Sequence, residues 1–252
     1  MAEDRLRFTA GLFWQEQTHN IQQRYKIDDL ADVISVPGWP DTLWLTKQFR
    51  TDEDSALFGE VSYDITDALT INAGARFFRV DNSLKGFFGF ARAFGSTGER
   101  ACFGPPVVAG GPCTNLDKRV EEDDHIARVN LQYQIDDGRM VYVTWSEGYR
   151  PGGINRRGTL PPYLSDFLTN WEAGWKTIWL DNTLQWNGAV FRQEWEDFQF
   201  AILGANGLTE IKNANQAAIT GVESDIQWAV NYNLTLTASA AFYDAKLTEN
   251  YC

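Results

Sequence analysis

The sequence predicts an all-β fold: an antiparallel, up-and-down transmembrane β-barrel segment of about nine strands belonging to a larger barrel. Three observations predict it. Long runs alternate polar with apolar residues. Four short polar turns, ITDA at 65–68, DDGR at 136–139, LDNT at 180–183 and VNYN at 230–233, join pairs of these runs, while the opposite ends open into longer connections. Runs such as 183–199 also exceed the usual soluble strand of about 5 or 6 residues, whereas a tilted membrane strand needs roughly 9 to 11.

The strand candidates begin near Arg5, Phe49, Leu69, Glu121, Met140, Asp166, Thr183, Leu208 and Leu234. In the run after Phe49, Leu57, Gly59, Val61 and Tyr63 oppose Phe58, Glu60, Ser62 and Asp64. From Leu69, the parity Leu69, Ile71, Ala73, Ala75, Phe77 opposes Thr70, Asn72, Gly74, Arg76. Ala127, Val129, Leu131 and Tyr133 oppose Ile126, Arg128, Asn130, Gln132 and Gln134, and Leu234, Leu236, Ala238, Ala240 and Phe242 oppose Thr235, Thr237, Ser239, Ala241 and Tyr243. A period of 2 with two unlike faces is a strand pattern, which a helix of period 3.6 cannot produce. An antiparallel sandwich would also alternate; run length and aromatics favour the membrane.

Of the 252 residues, 14% are aromatic, with 10 Trp, 9 Tyr and 16 Phe. Trp14, Trp145, Trp171, Trp175, Trp179, Trp186 and Trp195 lie near strand ends, as the interfacial girdles of a barrel require. The net charge of −12 argues against a nucleic-acid partner, which needs a basic face. No stretch approaches the roughly 20 apolar residues of a spanning helix, and mean hydropathy is −0.35.

The presumed outer loops are 16–48, 85–119, 151–165 and the tip at 204–207. Cys102 and Cys113 share the segment GERACFGPPVVAGGPCTN, where a disulfide could staple the loop; no His or further Cys is present there to complete a tetrahedral metal site. Cys252 is terminal and unpaired. In the first loop, Pro37 and Pro40 stiffen VPGWPDTLW, so Trp39 and Trp44 are candidates to dock an apolar or ring-bearing ligand; packing on neighbouring loops is the competing reading. Arg150, Arg156 and Arg157 are candidates to attract an anionic ligand, or to contact solvent or lipopolysaccharide.

No metal, cofactor or catalytic residue is called for. Glu121, Glu122, Asp123, Asp124 and His125 are split between two faces by alternation and lack calcium-loop spacing. Glu194 and Asp197 could form a glycosidase pair, but no other catalytic arrangement accompanies them, and neither His19 nor His125 sits beside a nucleophile.

The segment SEGYRPGGIN, with Gly148, Tyr149, Pro151, Gly152, Gly153 and Asn155, closely resembles a signature in the barrel of TonB-dependent outer-membrane receptors. Phe49 to Phe77 resembles that family's hairpin with a Gly-x-Arg ending, here Gly74 and Arg76. Glu172, Gly174 and Lys176 resemble its Glu-x-Gly-x-Lys hairpin, and Asn213, Ala214, Gly221, Val222 and Glu223 its Asn-Ala then Gly-Val-Glu strand. Alternation places Glu172, Gly174 and Lys176 toward the lumen and Trp171, Trp175 and Trp179 toward lipid, so these motifs read as architectural.

The resemblance implies a barrel of about 22 strands in the bacterial outer membrane, plugged by a separate N-terminal domain. It implies uptake of a scarce ligand such as a ferric siderophore, driven through the plug by the TonB–ExbB–ExbD complex, without covalent chemistry. The segment AEDRLRFTAGLFWQ after Met1 has no export signal, so residues 1–252 are expected to be one part of such a barrel domain, without the plug or the C-terminal strands. The alternatives are a soluble, aromatic-rich β-sandwich that binds or hydrolyses glycans, and a passive porin.

Overall fold

The computed structural model describes residues 5–91, 102–204, 209–214 and 216–248. Eleven strands account for most of them: β1 (Leu6–Lys26), β2 (Thr42–Asp64), β3 (Leu69–Phe90), β4 (Leu116–Asp136), β5 (Arg139–Arg150), β6 (Asp166–Trp179), β7 (Leu184–Glu196), β8 (Gln199–Leu203), β9 (Thr209–Asn213), β10 (Gln216–Asn231) and β11 (Leu234–Leu247). Nine of them form one antiparallel sheet in the order β1-β2-β3-β4-β5-β6-β7-β10-β11, an up-and-down meander whose only departure from sequence order is the small β8-β9 hairpin inserted before β10. The sheet is open, with β1 and β11 as its edges. A sandwich would require a second large sheet packed on the first; among the described residues the second sheet has only two strands.

The four short polar turns all fall at one end, between β2 and β3, β4 and β5, β6 and β7, and β10 and β11. In the third, Leu180, Asp181 and Asn182 all adopt left-handed backbone angles, with φ of 54, 53 and 67°. Asp and Asn tolerate that region best among non-glycine residues.

The opposite end corrects two expected loops. The first loop spans 27–41 rather than 16–48, because β1 continues to Lys26 and β2 begins at Thr42. The second spans 91–115 rather than 85–119. The alternation that marks a strand in sequence fades there because both faces of these strand ends leave the bilayer. Cross-strand backbone pairing continues without an apolar parity, as Gln17↔Asp52 and Asp52↔Asn82 show. The connection 151–165 matches its expected bounds. The run at 183–199 divides at Asp197, whose φ of 52° ends β7 and starts the β8-β9 hairpin, and the strand expected from Leu208 is likewise two strands, β9 and β10.

The two faces differ in chemistry. One apolar row crosses all nine strands: Leu6, Tyr63, Ile71, Leu131, Val143, Ala173, Val190, Val222 and Phe242. Mid-sheet members remain open to the surroundings, Val143 at 51% and Val190 at 48%, although no sheet edge lies beside them. A continuous exposed apolar band of this kind is the lipid face of a barrel wall. Its height runs from Trp171 to Trp179 on β6 and from Leu234 to Phe242 on β11, matching the roughly 9 to 11 residues that cross a bilayer.

The neighbouring row on the other face is polar. Ser62 donates to Asn72 Oδ1 at 2.5 Å, Asn72 to Asn130 Oδ1 at 3.1 Å and Asn130 to Thr144 Oγ1 at 2.8 Å, so adjacent strands are tied by side chains as well as backbone. Above the lipid band the outer face of β1–β4 turns charged. There Arg119 pairs with Asp81 and Glu121, and its guanidinium holds the Asp81 carboxyl below the usual carboxylate range.

Candidate functional site at the loop end of the inner face

Two connections, loop 151–165 and the β8-β9 hairpin, fold over the polar inner face at the end away from the short turns, and buried side chains hold them there. Loop 151–165 is fastened to the sheet by Gln48, whose Nε2 donates to Arg156 O at 2.8 Å, by Lys118, whose Nζ donates to Leu160 O at 2.6 Å, and by Glu122. The Glu122 carboxylate accepts from Gly152 N at 3.2 Å and from the Ser165 hydroxyl. Gly152 is required for this approach: a Cβ there would lie 2.6 Å from Tyr163 O and 2.8 Å from Glu122 Oε1. At Gly153 a Cβ would meet the Tyr163 ring, which closes the loop through mutual backbone bonds between Gly153 and Tyr163.

The β8-β9 hairpin is clamped onto that loop in turn. Asn155 donates to Ile211 O at 3.0 Å and accepts from Ile211 N at 2.8 Å. Asn213 donates to Leu164 O at 3.0 Å and accepts from Leu164 N at 2.9 Å. Gln199 Nε2 reaches Pro151 O at 3.0 Å and Leu164 O at 2.8 Å. Arg157 and Glu210, both about nine-tenths buried, add an ion pair at 3.5 Å. A buried carbonyl left without a donor costs about 1–3 kcal/mol, so each amide here is part of the fastening.

Loop 27–41 meets the disulfide-bearing connection. Trp39 Nε1 donates to Gly110 O at 2.8 Å, and its ring lies 4.9 Å from the Arg24 guanidinium and packs on a cluster of Val36, Leu45 and Phe87 with Cys113. Cys102 and Cys113 are joined in a disulfide with Cα atoms 5.8 Å apart, and Asn115 exchanges two 2.9 Å bonds with the Phe88 backbone. Cys252 and most of the tip 204–207 lie outside the described residues.

The structure therefore gives the candidate residues different surroundings. Trp39 is half-buried and occupied by loop packing. Trp44, read from sequence as a loop residue, lies in β2 and is 1% exposed, edge-on to Phe88 and Phe90 at 4.4 and 4.6 Å. Arg150 pairs with the buried Asp166, donates to Gln199 O at 2.9 Å and lies 5.6 Å from the Trp195 ring. Arg150 and Arg156 are exposed and Arg157 is buried; of the three, Arg156 has its guanidinium unpaired among the described residues.

The motif residues divide similarly. Tyr149 stacks on Phe78 at 3.7 Å beside Ala56 and Val80. Gly148 has open space about it, and Pro151 is exposed. Glu172 accepts from the Tyr142 hydroxyl at 2.7 Å on the inner face. Gly174 and Gly221 make room there, the first for the Tyr142 ring and the second for Phe191 and Tyr243. Lys176 and Glu223 border the inner-face hollow near Asn187 and Asp225.

Gln48, Lys118, Glu122, Asp166 and Gln199 were not singled out by sequence reasoning. Their partners lie between 16 and 108 positions away, and no local pattern marks such contacts.

The TonB dependent receptor-like β-barrel model matches residues 2–251. This chain belongs to that family. Among its relatives, the pesticin receptor of Yersinia enterocolitica serotype O:8 is 25% identical over 209 residues, which are 81% of this chain and 27% of the receptor; the pesticin receptor of Yersinia pestis gives the same figures. The ferric yersiniabactin uptake receptor of Yersinia pestis superposes with a TM-score of 0.72 at 18% identity, covering 97% of this chain and 33% of that one. The ferric-catecholate import receptor of E. coli K12, in its closed form, gives 0.63 at 15% identity, covering 99% of this chain and 36% of that one. The chain thus spans about a quarter to a third of the relatives it matches. As a TonB-dependent receptor barrel it is an outer-membrane structure of Gram-negative bacteria, in a family of receptors and transporters rather than enzymes, and the soluble-sandwich alternative falls.

Proposed function

We propose that this chain forms part of the wall and outer vestibule of a TonB-dependent importer of a scarce chelate such as a ferric siderophore. The observation that carries the reading is the loop end: in a receptor-family barrel, connection 151–165 and the β8-β9 hairpin are fastened over the polar face rather than left free. Loops so held can present ligand contacts at a fixed height above the lipid band. The importer reading also draws on relatives named for ferric yersiniabactin and ferric-catecholate uptake. A structural neighbour named as a copper transporter means that the fold does not choose the metal.

In this reading the plug occludes the lumen, and TonB–ExbB–ExbD supplies the work that opens it. The test is radioiron uptake in cells carrying the complete receptor gene, with and without TonB. Uptake of a ferric chelate that disappears with either the receptor or TonB is the expected result. Uptake that persists without TonB would identify a passive pore instead.

A further inference from the structure

Above the lipid band the wall forks. β4 and β5 pair from Asp136↔Arg139 only as far as Arg128↔Ser146, although β4 runs on to Leu116 and stays paired with β3 throughout. β5 instead leans across the inner face, where Tyr149 stacks on Phe78 of β3 at 3.7 Å in a cluster that Ile126 of β4 also joins. A side chain closes the crotch of the fork. The Ala127 N–H, which a continuing β5 would have used, donates to a Glu147 carboxylate oxygen at 2.9 Å. Every second residue of an antiparallel strand turns its backbone groups to the same side, so Ala127 fixes the direction for Arg119, Glu121 and Asp123. Their N–H and C=O groups face the side that β5 has left and have no hydrogen-bond partner among the described residues. β4 and β5 are the fourth and fifth of nine strands, so this edge is separate from the open ends of the sheet at β1 and β11.

We propose that the free upper edge of β4 is a docking site for an extended, basic segment of another polypeptide at the cell surface, which adds as one more strand. Unpaired N–H and C=O groups at strand spacing are a template for such a strand; main-chain bonds supply affinity and alternate side chains specificity. The side chains along this edge set the charge it selects. Arg79 and Arg119 are drawn to Asp81, Glu121 and Asp123, two cations among three carboxylates. Exposed Asp117 and Asp124 on the same stretch of β4 add two more, with the His125 ring beside Asp124. Opposite charges directly across a strand pair are favourable and like charges unfavourable, so lysines facing Glu121 and Asp123 fit where an acidic strand, or a second copy of this edge, does not.

The complete receptor, reconstituted in lipid nanodiscs, is titrated with fluorescent peptides of about eight residues, a usual strand length, and binding is read by anisotropy. One peptide alternates lysine with threonine, and another has glutamate in place of lysine. Two further versions of the lysine peptide carry N-methyl groups, one on its lysine amides and the other on its threonine amides. The lysine peptide is expected to bind and the glutamate peptide not. One methylated version should weaken at least about tenfold through lost main-chain bonds, while the other, methylated on the side turned away from β4, stays within about threefold. Equal weakening of both methylated versions, or of neither, overturns strand pairing, as does a lysine peptide that fails to bind at millimolar concentration. In the double variant Glu121→Lys, Asp123→Lys the preference should reverse, and its gain of the glutamate peptide tells this result from misfolding; an unchanged preference overturns the site. A wild-type receptor that elutes as a dimer in detergent, and as a monomer with the two lysines, would put a second copy on the edge and overturn the proposal as well.

Discussion

Side chains that sequence reasoning grouped by type are separated by their partners. Three arginines within eight positions meet three fates: Arg150 closes on a buried carboxylate, Arg157 on Glu210, and Arg156 keeps its guanidinium unpaired among the described residues. Burial of Asp166 and of the Arg157–Glu210 pair is tolerable because each charge is paired, whereas removing one partner would leave the other uncompensated. Glutamine 199 shows the same dependence in a neutral group, since its one amide nitrogen serves carbonyls on Pro151 and Leu164 and approaches that of Arg150. Replacing Gln199 with Ala should cost about 1–3 kcal/mol of local stability. Hydrogen exchange of the complete receptor should then quicken over 199–213 while β6 and β7 keep their protection; unchanged exchange in the hairpin would show that the clamp is redundant.

At the scale of the strand, one residue of displacement decides between lipid and lumen. Leu131 and Gln132 are neighbours on β4, but Leu131 belongs to the apolar row and Gln132 pairs across the inner face with Tyr142. Leu131→Lys should destabilise the barrel by about 2–4 kcal/mol, the cost of lysine near the bilayer midplane. Gln132→Lys should change stability by less than about 1 kcal/mol, as a substitution on a wet face does. Denaturant titration of the complete receptor folded into lipid vesicles measures both, and equal losses would remove the face assignment. The alternation of β2, β3, β4 and β11 was legible because the bilayer imposes it. The outer reaches of β1–β4 were not, since their strands, at 21 to 23 residues, outrun the bilayer and have water on both sides.

Across the whole molecule, the open edges dominate. Both β1 and β11 end the sheet with unpaired backbone groups, which lipid cannot satisfy. Expressed by themselves, these 252 residues should neither insert as a closed monomeric barrel nor conduct. Heat-modifiable mobility on a gel together with discrete single-channel openings would contradict that. Read alone, the amino-acid order determined the fold class, the four short turns, the lipid-facing parity and the family resemblance, because each rests on contacts between near neighbours or on the period-2 demand of a bilayer. Only the tertiary structure decided where the long connections lie. Gln48 meets Arg156 across 108 positions and Asn155 meets Ile211 across 56. Such hydrogen bonds depend on the sheet bringing distant segments to one end, and no periodicity along the chain records them. The same packing buried Trp44 and left the Arg156 guanidinium without a partner among the described residues.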